Sequence, residues 1–241
     1  MRPSGSVPTF KVSRVIDRLR NQRDTFAKVF ARLGLLIALL FVVDSVLSRF
    51  IRAHILLVQV FDPACFESRT NSVEPDVEIR AAMPAEIAAA SKLIPEVLCQ
   101  DFVETALGKG DTCIGVFVRN ELVSFQWFSL TKTSLTEDVS VTLPATFLYA
   151  YNSYTVPGYR GLHYHAQRRI FAGRMLAAKR QLTMVAIVNA DNSASILASA
   201  YMPPSRTGIA FLWRRQHGLL AMRSPLCKRI DLQFQNTTYE T

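Results

Sequence analysis

The sequence predicts a mixed α/β fold, of the α+β kind, in which one sheet carries helices on both faces behind a helical N-terminal extension. Three observations carry this expectation. Beyond residue 75, strand-like runs alternate with runs of helix formers. The runs 112–119 and 122–130 are rich in β-branched and aromatic residues and are joined by Asn120-Glu121, the pattern of a β-hairpin. Finally, the extended aromatic segment 147–156 breaks at Pro157-Gly158, and a helical stretch follows over 162–180.

The elements follow in order. Residues 76–82 alternate like a strand. Pro84 suits the first turn of a helix, and 85–94 is rich in helix formers. Pro95 interrupts, and 96–107 forms a second short helix ending at Gly108. After the hairpin, 131–143 reads as a polar connection. Residues 183–188 (TMVAIV) form a short buried strand, 192–202 a helix, and 207–214 and 219–222 strands flanking the turn His217-Gly218. No internal repeat is present.

The first 62 residues differ in character. The chain carries a net charge of +9, and residues 1–32 hold eight basic residues against Asp17 and Asp24, a net +6. Between Phe10 and Phe30 apolar residues recur at helical spacing among the arginines, as in a basic amphipathic helix. Residues 33–43 are then uninterrupted apolar sequence around Gly34. Eleven residues are too few to span a bilayer, which needs roughly 20. The long basic lead also fits a cleaved signal peptide badly. Three readings stay open: a helix in the membrane interface, a helix packed on the domain behind it, or one dipping into the bilayer with partners. Residues 54–61 (HILLVQVF) read as a short buried strand. The polar stretch 63–75 reads as a linker, dividing an extension, 1–62, from a domain, 76–241. The basic arm suits an anionic surface, with residues 1–47 facing a membrane; no zinc-finger or RNA-binding signature accompanies it, so nucleic acid is not expected. Cys65, Cys99, Cys113 and Cys227 are scattered, which excludes an ordered disulfide or zinc framework. They point to reduced thiols in the cytoplasm, with attachment at the inner membrane face as an extension of the same reading.

The chemistry concentrates in Val156-Pro-Gly-Tyr-Arg-Gly-Leu-His-Tyr-His165, which runs straight into a helix. A strand that turns tightly into a helix directs several backbone N–H groups at one spot, and the helix dipole favours an anion there. Arg160 lies in the turn, and Arg168 and Arg169 follow as further cations for a phosphate.

This segment resembles the coenzyme-A pyrophosphate loop of the GNAT (GCN5-related) N-acetyltransferase family. Some thirty residues on, Val188-Asn-Ala-Asp-Asn-Ser-Ala-Ser195 resembles that family's second conserved block, and the hairpin and paired helices fall where the family places them. The resemblance covers residues 76–222. It implies a mixed, mostly antiparallel sheet whose fourth and fifth family strands splay into a V, and an acyl-CoA cofactor, acetyl-CoA, within it. By the same resemblance Tyr159, Arg160, Gly161, Leu162, His163, Tyr164 and His165 hold the pyrophosphate, Val156 lines the pantetheine, and Asn189, Asn192 and Ser195 form the opposite wall. The implied activity is direct transfer of an acyl group to an amine, small or protein-borne, with Tyr201 as the acid that protonates the departing thiolate. His163 and His165 stand where the family commonly has glycine, and Pro203-Pro204 replaces a frequent Gly-Phe. No base emerges from 147–156, which contains no acidic residue; Glu137 and Asp138 precede it. Val97, Phe102, Phe125, Trp127 and Phe128 read either as core or as part of an acceptor site built from 93–107 and 131–146. Two other readings stand beside the enzyme: a relative that binds coenzyme A without turnover, and a membrane-surface interaction protein.

Overall fold

The structure, a computed structural model, describes residues 24–31, 34–51, 53–67, 76–177, 181–215 and 218–237. The expected basic helix before residue 24, linker residues 68–75, the helix end at 178–180 and His217 lie outside them. Helix α1 covers residues 24–31, and α2 Leu35–Phe50. There follow β1 (Ala53–Phe61), the single turn α3 (Ala64–Glu67), β2 (Val77–Ala81), α4 (Pro84–Leu93), α5 (Gln100–Gly108), β3 (Thr112–Val118) and β4 (Glu121–Ser129). Next come β5 (Thr133–Thr136), β6 (Val139–Thr142), β7 (Phe147–Thr155), α6 (Tyr164–Ala172) and β8 (Thr183–Asn189). The chain ends with α7 (Ser193–Ser199), β9 (Arg206–Arg215), β10 (Gly218–Arg223), α8 (Pro225–Arg229) and β11 (Gln233–Asn236).

Eight strands form one sheet in the order β10-β9-β1-β8-β7-β4-β3-β2. Every pairing is antiparallel except β7 with β8. This is the mixed, mostly antiparallel sheet flanked by helices that the sequence implied. Strand β1 departs from expectation in its position. It was read as part of the extension, yet it lies between β8 and β9 and pairs with both. A nine-residue run, apolar but for His54 and Gln59 and buried on both faces apart from the half-buried His54, needs neighbours on either side to satisfy its backbone. The polar segment after it therefore does not separate the extension from the sheet. The stretch 131–143 is also more ordered than a polar connection: β5 and β6 form a hairpin, and β11 completes a three-stranded second sheet.

Alternation along β1 sorts the two faces. Leu56, Val58 and Val60 join Trp127, Tyr149, Tyr151 and Val185 under α4, α5 and the small sheet, where Ile87, Leu98, Val103 and Val141 pack. On the other face Phe61 joins Phe128, Leu148, Met184 and α6 residues Ala166 and Ile170, while Ile55 and Leu57 meet Ile37, Leu40 and Leu47 of α2 and Ile196 of α7. Phe125, Trp127 and Phe128 are thus core side chains, at most 1% exposed.

Helix α2 is tied to this second face by one carboxylate. Asp44 accepts from the N–H of Ile55 at 2.6 Å and of Asp191 at 3.2 Å. Burial, the largest influence, holds its pKa above the ordinary value despite these bonds. Helix α6 continues into a π-helical turn, Gly173–Ala177, and Gly173 sits against the ring of the buried Phe66.

Candidate functional site

The site begins where two parallel strands stop pairing. β7 and β8 are in register from Phe147↔Thr183 to Ala150↔Ala186, and no further. Beyond that point β7 still pairs with β4 as far as Thr155, and β8 still pairs with β1 as far as Asn189. Each strand is held from its outer side while the inner edges part, so the sheet opens into a wedge.

A bulge aims the side chains of one wall. The register of β4 against β7 shifts between Gln126 and Trp127, leaving Asn152 as the extra residue at φ +35°. That one residue reverses the alternation, so Ser153 and Thr155 turn toward α6 while Tyr151 keeps to the opposite core. Tyr151 is fully engaged there. Its hydroxyl donates to Asp111 Oδ2 at 2.6 Å, and Ser129 and Lys109 complete the carboxylate's partners. Burial and Asp111 push the Tyr151 pKa upward, so this phenol stays protonated.

At the open end of the wedge the chain makes a 3-10 turn, Pro157–Tyr159, and then α6. Gly161 at φ +87° and His163 at φ +60° set the entry angle. His163 caps α6 without a side-chain hydrogen bond, and its carbonyl accepts from Ala166 and Gln167. The backbone N–H groups of Gly161, Leu162, His163 and His165 have no protein acceptor among the described residues. These are the unpaired amides of a helix start, which favour an anion. Arg160 beside them is exposed. Its Nε donates to the carbonyl of Thr155 at 3.1 Å, and its outer guanidinium nitrogens make no ion pair among the described residues.

A cleft of about 440 Å³ joins these features. Ser153, Tyr154 and Thr155 form one side, Tyr159 to Gly161 and His163 to His165 the head, and Asn192, Ser195 and Tyr201 of the α7 segment the far side. Asn192 caps α7 by accepting from the Ser195 N–H at 3.1 Å. The rings of His163 and Tyr201 lie 3.9 Å apart and bridge the two sides.

His165 is held in one tautomer. Arg168 donates to Ser153 Oγ at 2.9 Å and approaches His165 Nδ1 at 3.4 Å, while Ser153 Oγ lies 3.2 Å from the same nitrogen. A guanidinium only donates, so Nδ1 accepts and the proton sits on Nε2. That Nε2 is buried without a partner among the described residues. Burial first, then Arg169 and Arg168, hold the His165 pKa well below its ordinary value, so the ring is neutral.

The structure corrects several sequence expectations. Arg168 and Arg169 are not phosphate ligands: both are buried against the sheet, 0% and 2% exposed. The helical phase explains this, because Arg168 lies one turn after the buried Tyr164. The Arg168 guanidinium donates to the carbonyls of Phe125 and Tyr154, and burial pushes its pKa down to about 9. Arg169 stacks over the Phe61 ring at 4.7 Å. Val156 does not line the cleft; its N–H donates to the Val123 carbonyl at 2.9 Å. Asn189 faces the other way, since its cross-strand partner is Leu56 while Val188 packs with Leu57 on the α7 face. Leu162 is exposed beside the cleft.

On that opposite face, at the same end of the sheet, lies a second cavity of about 280 Å³. His54, Asn189, Glu137, Asp138 and Arg214 are among its lining residues. His54 Nδ1 is buried with no partner among the described residues, and Arg214 pairs with Asp138. His54 was passed over in the sequence because it sat in a segment assigned to the extension. Its one signal is a polar residue at the head of an apolar strand. Among the described residues no His, Cys, Asp and Glu group is arranged to hold a metal ion.

No protein-family model matches the chain, and neither does any curated protein. Solved structures with a similar fold include a Drosophila protein, 13% identical with a TM-score of 0.47 over 70% of this chain. A functionally unknown conserved protein from Staphylococcus epidermidis is 8% identical, with a TM-score of 0.45 over 80%. A GCN5-related N-acetyltransferase from Kribbella flavida is 12% identical, with a TM-score of 0.45 over 78% of this chain and 66% of its own. The chain spans 55% and 65% of the length of the first two. Likenesses this distant decide nothing about activity.

Proposed function

We propose that this protein is an acyl-CoA-dependent N-acyltransferase, acetyl-CoA being the donor, that works by direct transfer to an amine. The observation that carries the proposal is the wedge between β7 and β8, opening beside a helix start where the N–H groups of Gly161, Leu162, His163 and His165 have no protein acceptor among the described residues. The unpaired N–H groups and the half-engaged Arg160 suit a diphosphate, and the free inner edges of β7 and β8 suit an extended amide-bearing arm such as pantetheine. When bound, acyl-CoA supplies an activated thioester.

The chain's own groups then have distinct tasks. The amides of Gly161, Leu162, His163 and His165, with the Arg160 guanidinium, would hold the diphosphate, and Asn192 holds α7 in place as the far wall. The cavity of His54 and Asn189 on the opposite face would admit the amine. There Glu137 adds negative charge that attracts an ammonium, and His54 Nδ1 is the group we assign to accept its proton. Tyr201, across the cleft, is the acid assigned to the leaving sulfur.

Calorimetric titration with acetyl-CoA tests the reading. Wild type binds, and Arg160→Ala weakens binding by about tenfold, the loss of one charge-assisted contact. No binding by wild type at millimolar ligand would remove the enzyme. A second reading, binding without turnover, is favoured by the His163 ring lying against Tyr201 within the cleft. Binding without thiol release across a broad panel of amines would select it.

A further inference from the structure

We infer that the outer face of α2 is a docking surface for an anionic lipid bilayer, with the helix lying flat in the interface. The inference is independent of acyl transfer.

From Leu35 to Val43 helix α2 is apolar all round, but only one side is covered. Ala38, Phe41 and Asp44 are buried, and Ile37, Leu40 and Leu47 pack on β1, β8 and α7. On the outer side Leu35, Leu36, Leu39, Val42, Val43 and Val46 are each 43–64% exposed. Their spacing of three, four and seven makes one continuous stripe. A helix in water normally turns charged residues outward, and this stretch between Leu35 and Val46 has none there. A stripe of this size marks an interaction surface.

Two observations fix the mode of contact. A helix of 16 residues is about 24 Å long, short of the roughly 30 Å of a bilayer core, and among the described residues no helix is long and apolar enough to cross a membrane. Asp44 also binds α2 to β1 and to the β8–α7 turn, so the helix stays on the domain and offers only its outer side.

Charge selects the occupant. Residues 1–32, leading into α2, carry a net +6. An anionic surface is attracted to that charge, whereas a second copy of the chain would bring an equal positive charge to the same contact. Apolar stripe and basic lead together form the two-part signal of interfacial attachment.

The experiment is flotation of the full chain with phosphatidylcholine vesicles, with and without phosphatidylserine. Wild type floats with the mixed vesicles, and high salt reduces the bound fraction. Leu39→Asp/Val43→Asp lowers the affinity by about tenfold or more, with an unchanged circular-dichroism melt because both positions face outward. If that variant misfolds, Leu36→Ser, at the most exposed position of the stripe, lowers it in the same direction. Absence of wild-type flotation, flotation equal with and without phosphatidylserine, or undiminished flotation of folded variants would each overturn the inference. So would a wild-type dimer by light scattering that the double variant splits, without vesicle binding.

Discussion

Removing the Asp44 carboxylate tests how the N-terminal helix supports the cleft. In Asp44→Ala the Ile55 N–H, buried and bonded at 2.6 Å, loses its acceptor, and so does the part-buried Asp191 N–H at 3.2 Å. A buried donor left unpaired costs about 1–3 kcal/mol, and a weaker, wetter one less. The loss is partly offset because the carboxylate's own burial is unfavourable, as its raised pKa shows. The net destabilisation is about 2 kcal/mol, which lowers the melting temperature by roughly 4–8 °C for a chain of this size. Urea unfolding followed by circular dichroism, with an unchanged slope, reads the first figure directly. Because Asp191 immediately precedes the Asn192 cap of α7, the proposed acyl-CoA site predicts that acetyl-CoA affinity falls as well. Asp44→Asn, which keeps one acceptor oxygen, loses less than Asp44→Ala. Stability of Asp44→Ala within about 0.5 kcal/mol of wild type would refute the reasoning, since that is the ordinary scatter of surface changes.

Two further predictions concern the scaffold. In Gly173→Ala the new Cβ would stand 2.2 Å from the ring of Phe66, which is fully buried. The variant loses about 3 kcal/mol by thermal unfolding, and Phe66→Leu in the same chain restores part of it; two independent, additive losses would contradict the contact. Glu86 accepts two bonds from Arg80 and one from the Met83 N–H, and Arg80 is the main reason its pKa falls from 4.5 to about 2. A carboxyl whose pKa is depressed in the fold contributes above 4.5 and ceases to as the pH drops toward about 2. The stability gap between wild type and Glu86→Gln therefore closes over that interval, and a gap independent of pH would disprove the pairing.

Much of the fold was legible because its signals are local. The hairpin of β3 and β4 was visible in its flanking strands, although the residues at positive φ are Arg119 and Asn120, one position earlier than expected. The β7-turn-α6 sequence was visible because Pro157 fixes φ and Gly161 permits the positive φ, +87°, that the turn requires. Pairing over long separations was not. The composition of β1 announced burial, but nothing local says that its neighbours are β8 and β9. The small sheet escaped notice because β5, β6 and β11 each have four residues, too few to establish a period. Around the candidate site, turn chemistry located the strand, turn and helix start at α6, whereas Asn189, Arg168 and Arg169 were misplaced by reading charge and polarity without phase. Alternation along β8 and the turn from Tyr164 to Arg168 held the missing information. His54 required the topology.

The central position of β1 also governs how the chain comes into being. On a ribosome this strand, with a nearly unbroken apolar row, emerges well ahead of both of its partners, which lie far downstream. Until β8 and β9 arrive, both of its edges stay unpaired and ready to recruit a stranger. Biogenesis thus depends on shielding one nine-residue stretch until β8 and β9 have been made, and pairing with them removes its open edges.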